Sequence, residues 1–73
     1  MEHADLDNRF TYHPPTGDQA NRYTTIRELA HDFAVTLDAL CPDSRELSLA
    51  ITHLEETVMW ANAAIARNGD QLK

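Results

Sequence analysis

Hydrophobic residues recur at spacings of three and four along two long segments of the chain, which is the period of a helix that buries one face. The first segment predicts a helix over residues 18–40. Its expected buried stripe consists of Tyr23, Ile26, Ala30, Phe33, Leu37 and Leu40. We expect this helix to end at Cys41, because Pro42 disfavours helical geometry in the residue before it.

The second segment predicts a helix over residues 44–67. Its expected seam against a partner helix consists of Leu47, Ile51, Leu54, Val58, Ala61 and Ile65. Asp43 and Ser44, followed by Glu46, form a helix-start signal, and Gly69 is expected to stop the helix in a left-handed conformation. Because the connection between the two helices is very short, they must lie antiparallel.

The N-terminal residues 1–17 are polar and include Pro14 and Pro15, which favour extended backbone, so they predict an extended arm. Thr16 and Gln19 have the spacing of a capping box at the start of the first helix. The sequence thus predicts an all-α fold. Its parts are an N-terminal arm (1–17), an antiparallel two-helix hairpin (18–68) and a C-terminal tail (69–73).

A further stripe on the second helix lies opposite the seam and includes Leu49, His53, Trp60, Ala64 and Arg67. One partner helix cannot cover both faces, and a chain of 73 residues has a small core of its own. We therefore expect a symmetric homo-oligomer with Trp60, Leu49 and Ala64 at its interface. An alternative role for Trp60 is stacking on a ligand.

Composition narrows the range of partners. A net charge of −6 argues against a general binder of DNA, RNA or anionic membranes, since each of these requires a basic surface. One cysteine, Cys41, allows no internal disulfide and suits a reducing compartment. No signal peptide and no apolar run near 20 residues is present, so we expect a cytoplasmic protein without a membrane partner.

No set of residues predicts catalysis. Two glycines cannot build a phosphate loop, the four histidines show no spacing of four, and one cysteine cannot form a structural zinc site. We interpret the adjacent acids Glu55 and Glu56 as a solvated face, since neighbouring helical positions point in different directions. The sequence therefore predicts neither an enzyme nor a bound metal or cofactor.

Three stretches of the second helix, and one of the arm, resemble a known family. They are CPDSRELSLA (41–50), LEE (54–56), VMWANAAIARN (58–68) and FTYHPP (10–15) with GDQ (17–19). They are similar to the phage anti-CBASS cyclic-nucleotide sponges, whose helical hairpin domain is shared with sponges that block Thoeris defence. The resemblance covers roughly residues 10 to 68.

The resemblance implies a hexamer of hairpins that binds cyclic di- and trinucleotides in the host cytoplasm without cleaving them. It implies that Tyr12 of the arm stacks on a base of a cyclic dinucleotide, with His13 beside it and Arg27 on a phosphate. It assigns a separate trinucleotide pocket to Arg67.

Each of these residues also has an alternative role that involves no ligand. Tyr12 could instead pack the arm onto the bundle, and Arg27 and Arg67 could be solvated helix-face charges. A helical module that binds a protein partner through Trp60 is the alternative function. A phosphodiesterase acting on the same messengers is disfavoured, because the chain has no catalytic set.

Overall fold

The computed structural model describes residues 3–69, which form three helices and no strand. They are α1 (His3–Phe10), α2 (Gln19–Leu40) and α3 (Arg45–Asn68). The predicted all-α hairpin is confirmed, and the bounds of α2 and α3 differ by at most one residue from those expected. None of the described helices is long and apolar enough to cross a membrane. Residues 1–2 of the arm and 70–73 of the tail lie outside the described residues.

The prediction of a wholly extended arm was wrong, because residues 3–10 form α1. Proline restricts only the residues beside it, so Pro14 leaves the upstream residues free to be helical. Arg9 pairs with Asp5 one turn earlier at 3.3 Å. The His13 Nε2–H group donates to the Asn8 carbonyl at 2.8 Å, which satisfies one of the free acceptors at the end of α1. Of the predicted arm, residues 11–17 carry no helix.

A tight turn leads into α2. The backbone N–H of Gln19 donates to the carbonyl of Thr16 at 3.0 Å, and Gly17 takes a positive φ of 54° inside this turn. The Thr16 N–H in turn donates to the side-chain Oε1 of Gln19 at 3.0 Å. The expected capping box is present only in this bond, because the N-cap of α2 is Asp18 and its side chain makes no capping hydrogen bond. This turn holds Gln19 against the hairpin, where it is only 6% exposed.

The two ends of α3 are fixed by different means. At its start, the Ser44 hydroxyl accepts a hydrogen bond from the Leu47 N–H at 3.1 Å. At its end, Gly69 has φ −62°, so the predicted left-handed conformation was wrong. A Cβ at this position would overlap the amide nitrogen of Gln19 and the carbonyl oxygen of Ile65. Glycine is required here for space rather than for an unusual backbone angle.

The predicted seam of α3 packs on α2. Leu47 is buried and the rest of the seam, Ile51, Leu54, Val58, Ala61 and Ile65, is half-buried. The predicted stripe of α2 was wrong at two positions, because Phe33 is 54% and Leu40 is 78% exposed. Ala34 and Cys41 are half-buried in their place. Because the helical repeat is 3.6 residues, the inward-facing stripe can include either Phe33 and Leu40 or Ala34 and Cys41. The small Ala34 side chain lets the helices approach closely.

Candidate functional site

A cleft of about 310 Å³ lies where the arm meets the open end of the hairpin. We call it the end cleft. Its lining residues are Tyr12, His13, Pro14, Thr16, Gln19, Ala66, Arg67, Asn68 and Gly69. Two site residues expected from the arm, Tyr12 and His13, thus lie in one cleft with Arg67, which was assigned to a separate pocket.

The end cleft is built around the first turn of α2. The Gln19 side chain accepts from the Thr16 N–H and donates from Nε2 to the Ile65 carbonyl at 3.4 Å. One turn later, Arg22 donates to the carbonyl of Gly69 at 3.2 Å. These bonds join the start of α2 to the end of α3 and also show that the two helices run antiparallel.

The two arm residues have different environments in the end cleft. Tyr12 is 80% exposed, so its ring offers a free face of the kind on which nucleic-acid bases stack. His13 is half-buried, and its Nε2–H is already engaged by the carbonyl of Asn8. The geometry therefore makes Tyr12 available to a ligand, while His13 holds the segment that carries it.

Arg27 lines a different cleft, which we call the side cleft, along the flank of the hairpin. It has a volume of about 360 Å³ and is mostly apolar. Its lining residues are Arg27, Ala30, His31, Ala34, Ile51, Leu54, Glu55, Val58 and Met59. Within one chain, Arg27 and Tyr12 thus do not share a cleft.

Two of the expected site residues, Arg27 and Arg67, are cations that form no salt bridge within the described residues. Arg9 and Arg22 are ion-paired with carboxylates one turn away, at 3.3 and 3.2 Å. Arg27 and Arg67 form no salt bridge with a carboxylate within residues 3–69. A guanidinium group in this state can present its planar donor fork to a phosphate.

The predicted interface residues lie on the outer side of α3. Trp60 is 68% and Leu49 is 44% exposed, and Ala64 is exposed as well. Trp60 also borders a third cleft of about 560 Å³, between α1 and α3, together with Arg67. In the part of the chain that the structure describes, no three acidic, histidine or cysteine side chains are grouped to hold a metal ion.

Sequence reasoning missed the roles of Gln19 and Gly69 in the end cleft. Thr16 and Gln19 were recognised only as a helix cap, and Gly69 only as a helix stop. Each has a partner more than forty residues away, so no local pattern points to these contacts.

Comparison with known proteins identifies a family. A family model described as "Acb2/Tad1, hairpin domain" matches residues 2–66, which is most of the chain. No curated protein matches, and no solved structure does.

Proposed function

This chain belongs to the Acb2/Tad1 hairpin domain family, and on that premise we propose that it is a phage-encoded sponge. It binds cyclic di- and trinucleotide messengers and does not cleave them, so that CBASS effectors are not activated. Thoeris signals are further candidate ligands. The observation that carries the proposal is the end cleft, where the exposed ring of Tyr12 and the guanidinium of Arg67 lie together.

The proposed dinucleotide site takes parts from two copies of the chain. Tyr12 stacks on a base, Arg27 contacts a phosphate, and His13 keeps the arm in place. Tyr12 and Arg27 line different clefts of one chain, which supports a ligand site that lies between copies. A cyclic dinucleotide has approximate twofold symmetry, which matches a site shared by two equivalent subunits.

The proposed trinucleotide site is centred on Arg67. A cyclic trinucleotide has approximate threefold symmetry, so three copies of Arg67 would contact three phosphates. Arg67 lines the end cleft, which is more polar than the side cleft. It forms no salt bridge with the carboxylates of the described residues. The planar fork of arginine suits a phosphate at each of these positions.

Shared sites also account for tight binding. Nanomolar affinity corresponds to about −12 kcal/mol, whereas one base stack and one charge-assisted hydrogen bond supply only about 2.5 to 6 kcal/mol before ordering costs. Two or three symmetric copies of these contacts bring the total into the required range.

We propose that the chain assembles into a closed symmetric homo-oligomer, a hexamer on the family resemblance. Within residues 3–69, only Leu47 and Gln19 are buried, so one copy has almost no core. Trp60, Leu49 and Ala64 form one interface of the assembly. Their exposure in the single chain supports this role, because large exposed apolar surfaces mark contact sites.

Titration calorimetry of the purified protein against cyclic di- and trinucleotides tests the proposal, with a linear dinucleotide as the control. We expect tight binding of cyclic forms only, with one-half ligand per subunit at twofold sites and one-third at threefold sites. The ligand is expected intact after the complex is denatured. Binding of no cyclic nucleotide would refute the sponge, and a cleaved ligand would refute binding without cleavage.

The alternative function is a helical module that binds a protein through Trp60. The observation in its favour is the 68% exposure of the Trp60 side chain. It predicts no nucleotide binding and a Trp60 fluorescence that responds to the protein partner. The calorimetric panel therefore distinguishes the two functions directly.

A further inference from the structure

The side cleft contains a second charged residue, which the proposed dinucleotide site does not use. Glu55 lines this cleft from α3, and Arg27 lines it from α2, the other helix of the hairpin. The rest of the lining is mostly apolar, with His31 as the third polar side chain. A mostly apolar cleft with a few placed polar groups is the usual form of a small-molecule site.

Glu55 has no cationic partner, whereas its neighbour Glu56 contacts a histidine. The Glu56 carboxylate lies 3.9 Å from the Nδ1 atom of His53. Glu55 forms no salt bridge with any other described residue, including Arg27. Successive residues of a helix point about 100° apart, and Glu56 does not line the side cleft. Among the described residues, this cleft thus holds an unpaired guanidinium and an unpaired carboxylate on two different helices.

An unpaired carboxylate in a ligand cleft selects for hydrogen-bond donors. An ionised carboxylate only accepts, and its two oxygens can take two parallel donors at once. The Watson–Crick edge of guanine carries two such donors side by side, the N1–H and the 2-amino group. Adenine and cytosine place a ring-nitrogen acceptor beside one amino group, and uracil places a carbonyl on each side of one N–H. Guanine is therefore the base whose edge complements Glu55.

The negative charge of the ligand strengthens this selection. A cyclic dinucleotide carries two phosphates and the chain has a net charge of −6, so a carboxylate that faces the ligand opposes binding unless it is hydrogen-bonded. Two donors of guanine supply charge-assisted hydrogen bonds to Glu55. A base that turns an acceptor towards Glu55 leaves the carboxylate without a partner, which disfavours that base.

The apolar lining beside Glu55 suits the plane of a base. Met59 lies one turn after Glu55 on the same face of α3 and is 67% exposed. Its thioether is a group that makes favourable contacts with aromatic rings. The volume of about 360 Å³ lies within the usual range of small-molecule pockets, about 300 to 1,000 Å³. The side cleft therefore offers a surface for a base, an acceptor for the edge of that base and a cation for its phosphate.

We propose that Glu55 makes the dinucleotide site selective for guanine. Its carboxylate accepts the N1–H and 2-amino groups of a guanine that lies in the side cleft, while the neighbouring phosphate contacts Arg27. The inference rests on the proposed function, because it names the base that the proposed dinucleotide site prefers. In that site, Tyr12 from a second copy of the chain stacks on the same ligand.

Titration calorimetry of the wild type, Glu55→Gln and Glu56→Gln with cyclic di-GMP and cyclic di-AMP tests this role. Glu56→Gln is the matched control, because it removes the same charge from an exposed neighbour that lines none of the clefts described above. The wild type and Glu56→Gln should bind cyclic di-GMP at least about tenfold more tightly than cyclic di-AMP, the equivalent of one charge-assisted hydrogen bond. Glu55→Gln should lose this preference through weaker binding of cyclic di-GMP alone.

Cyclic di-IMP provides a second measurement, in which the ligand rather than the protein is changed. Its hypoxanthine bases keep the N1–H and lack the 2-amino group, so the wild type should bind it more weakly than cyclic di-GMP. Glu55→Gln should show a smaller difference between these two ligands, because the ligand and protein changes remove the same contact. Circular dichroism and an unchanged affinity for cyclic di-AMP check that the variant keeps its fold and its site.

The outcomes separate this inference from the proposed function. A wild type that binds both cyclic dinucleotides equally, or a Glu55→Gln variant that keeps the preference, overturns the role of Glu55 and leaves the sponge in place. An equal loss of affinity for both ligands in Glu55→Gln overturns it as well. A wild type that binds no cyclic nucleotide refutes the proposed function, and this inference with it.

Discussion

The side-chain amide of Gln19 donates a hydrogen bond to the carbonyl oxygen of Ile65, 3.4 Å away and 46 residues further along the chain. The same side chain accepts from the Thr16 N–H through Oε1. One buried residue therefore connects the arm that carries Tyr12 to the end of α3 that carries Arg67. The relative position of these two proposed ligand contacts depends on it.

Gly69→Ala should lower the free energy of unfolding by about 1 to 3 kcal/mol, the cost of a buried polar group left without its partner. The added Cβ overlaps the amide nitrogen of Gln19 and the Ile65 carbonyl, so the hydrogen bond between them is lost. Denaturant unfolding at a fixed protein concentration measures the change.

A double-mutant cycle with Gln19→Ala identifies the cause of this loss. Because both substitutions break the same contact, their effects should be clearly less than additive. Ser44→Ala is the control, since Ser44 caps α3 at the opposite end of the hairpin and its effect should add to that of Gln19→Ala. Additive effects of Gly69→Ala and Gln19→Ala would contradict the contact.

Ser44→Ala should destabilise the hairpin by about 1 kcal/mol, because the hydroxyl of Ser44 caps the Leu47 N–H at the start of α3. Ser48→Ala is the matched control. Ser48 is an exposed position within the helix, where alanine is the better helix former, so this variant should be as stable or slightly more stable. Equal losses in the two variants, measured by the urea midpoint, would exclude the cap as the cause.

Tyr12→Ala should weaken cyclic dinucleotide binding by roughly 5- to 150-fold, the equivalent of losing about 1 to 3 kcal/mol of base stacking. Tyr12→Phe keeps the aromatic face and should bind within a few-fold of the wild type. Because Tyr12 is 80% exposed, neither variant should change the unfolding temperature appreciably. Calorimetric affinity unchanged in Tyr12→Ala would remove Tyr12 from the site.

Arg27→Gln and Arg67→Gln should each lower the affinity for a different class of ligand. We expect Arg27→Gln to weaken cyclic dinucleotides and Arg67→Gln to weaken cyclic trinucleotides, each by about tenfold or more for a lost charge-assisted bond. Arg45→Gln is the control, because Arg45 is exposed at the start of α3 and lines none of the clefts described above. If Arg67→Gln weakens both classes equally, the end cleft is a single site and the assignment of two pockets is wrong.

The sequence by itself determined where the two long helices lie and which face of α3 meets α2. These features are local: hydrophobic spacing, Pro42 after α2 and Ser44 before α3 are all read within a few residues. The resemblance that leads to the family is also carried by contiguous stretches. The sequence further indicated that a single copy leaves an apolar surface uncovered, since the outer face of α3 is apolar.

Only the tertiary structure decided which of the adjacent apolar residues Phe33 and Ala34 turns inward, because both fit a helical stripe. It alone showed that Gly69 leaves space for Gln19, and that Tyr12 lies with Arg67 and apart from Arg27. Each of these features either joins residues that are distant in sequence or depends on which of two neighbouring residues, both of which fit the helical pattern, faces the other helix. Such features depend on how two helices fit together, which spacing along one helix does not specify.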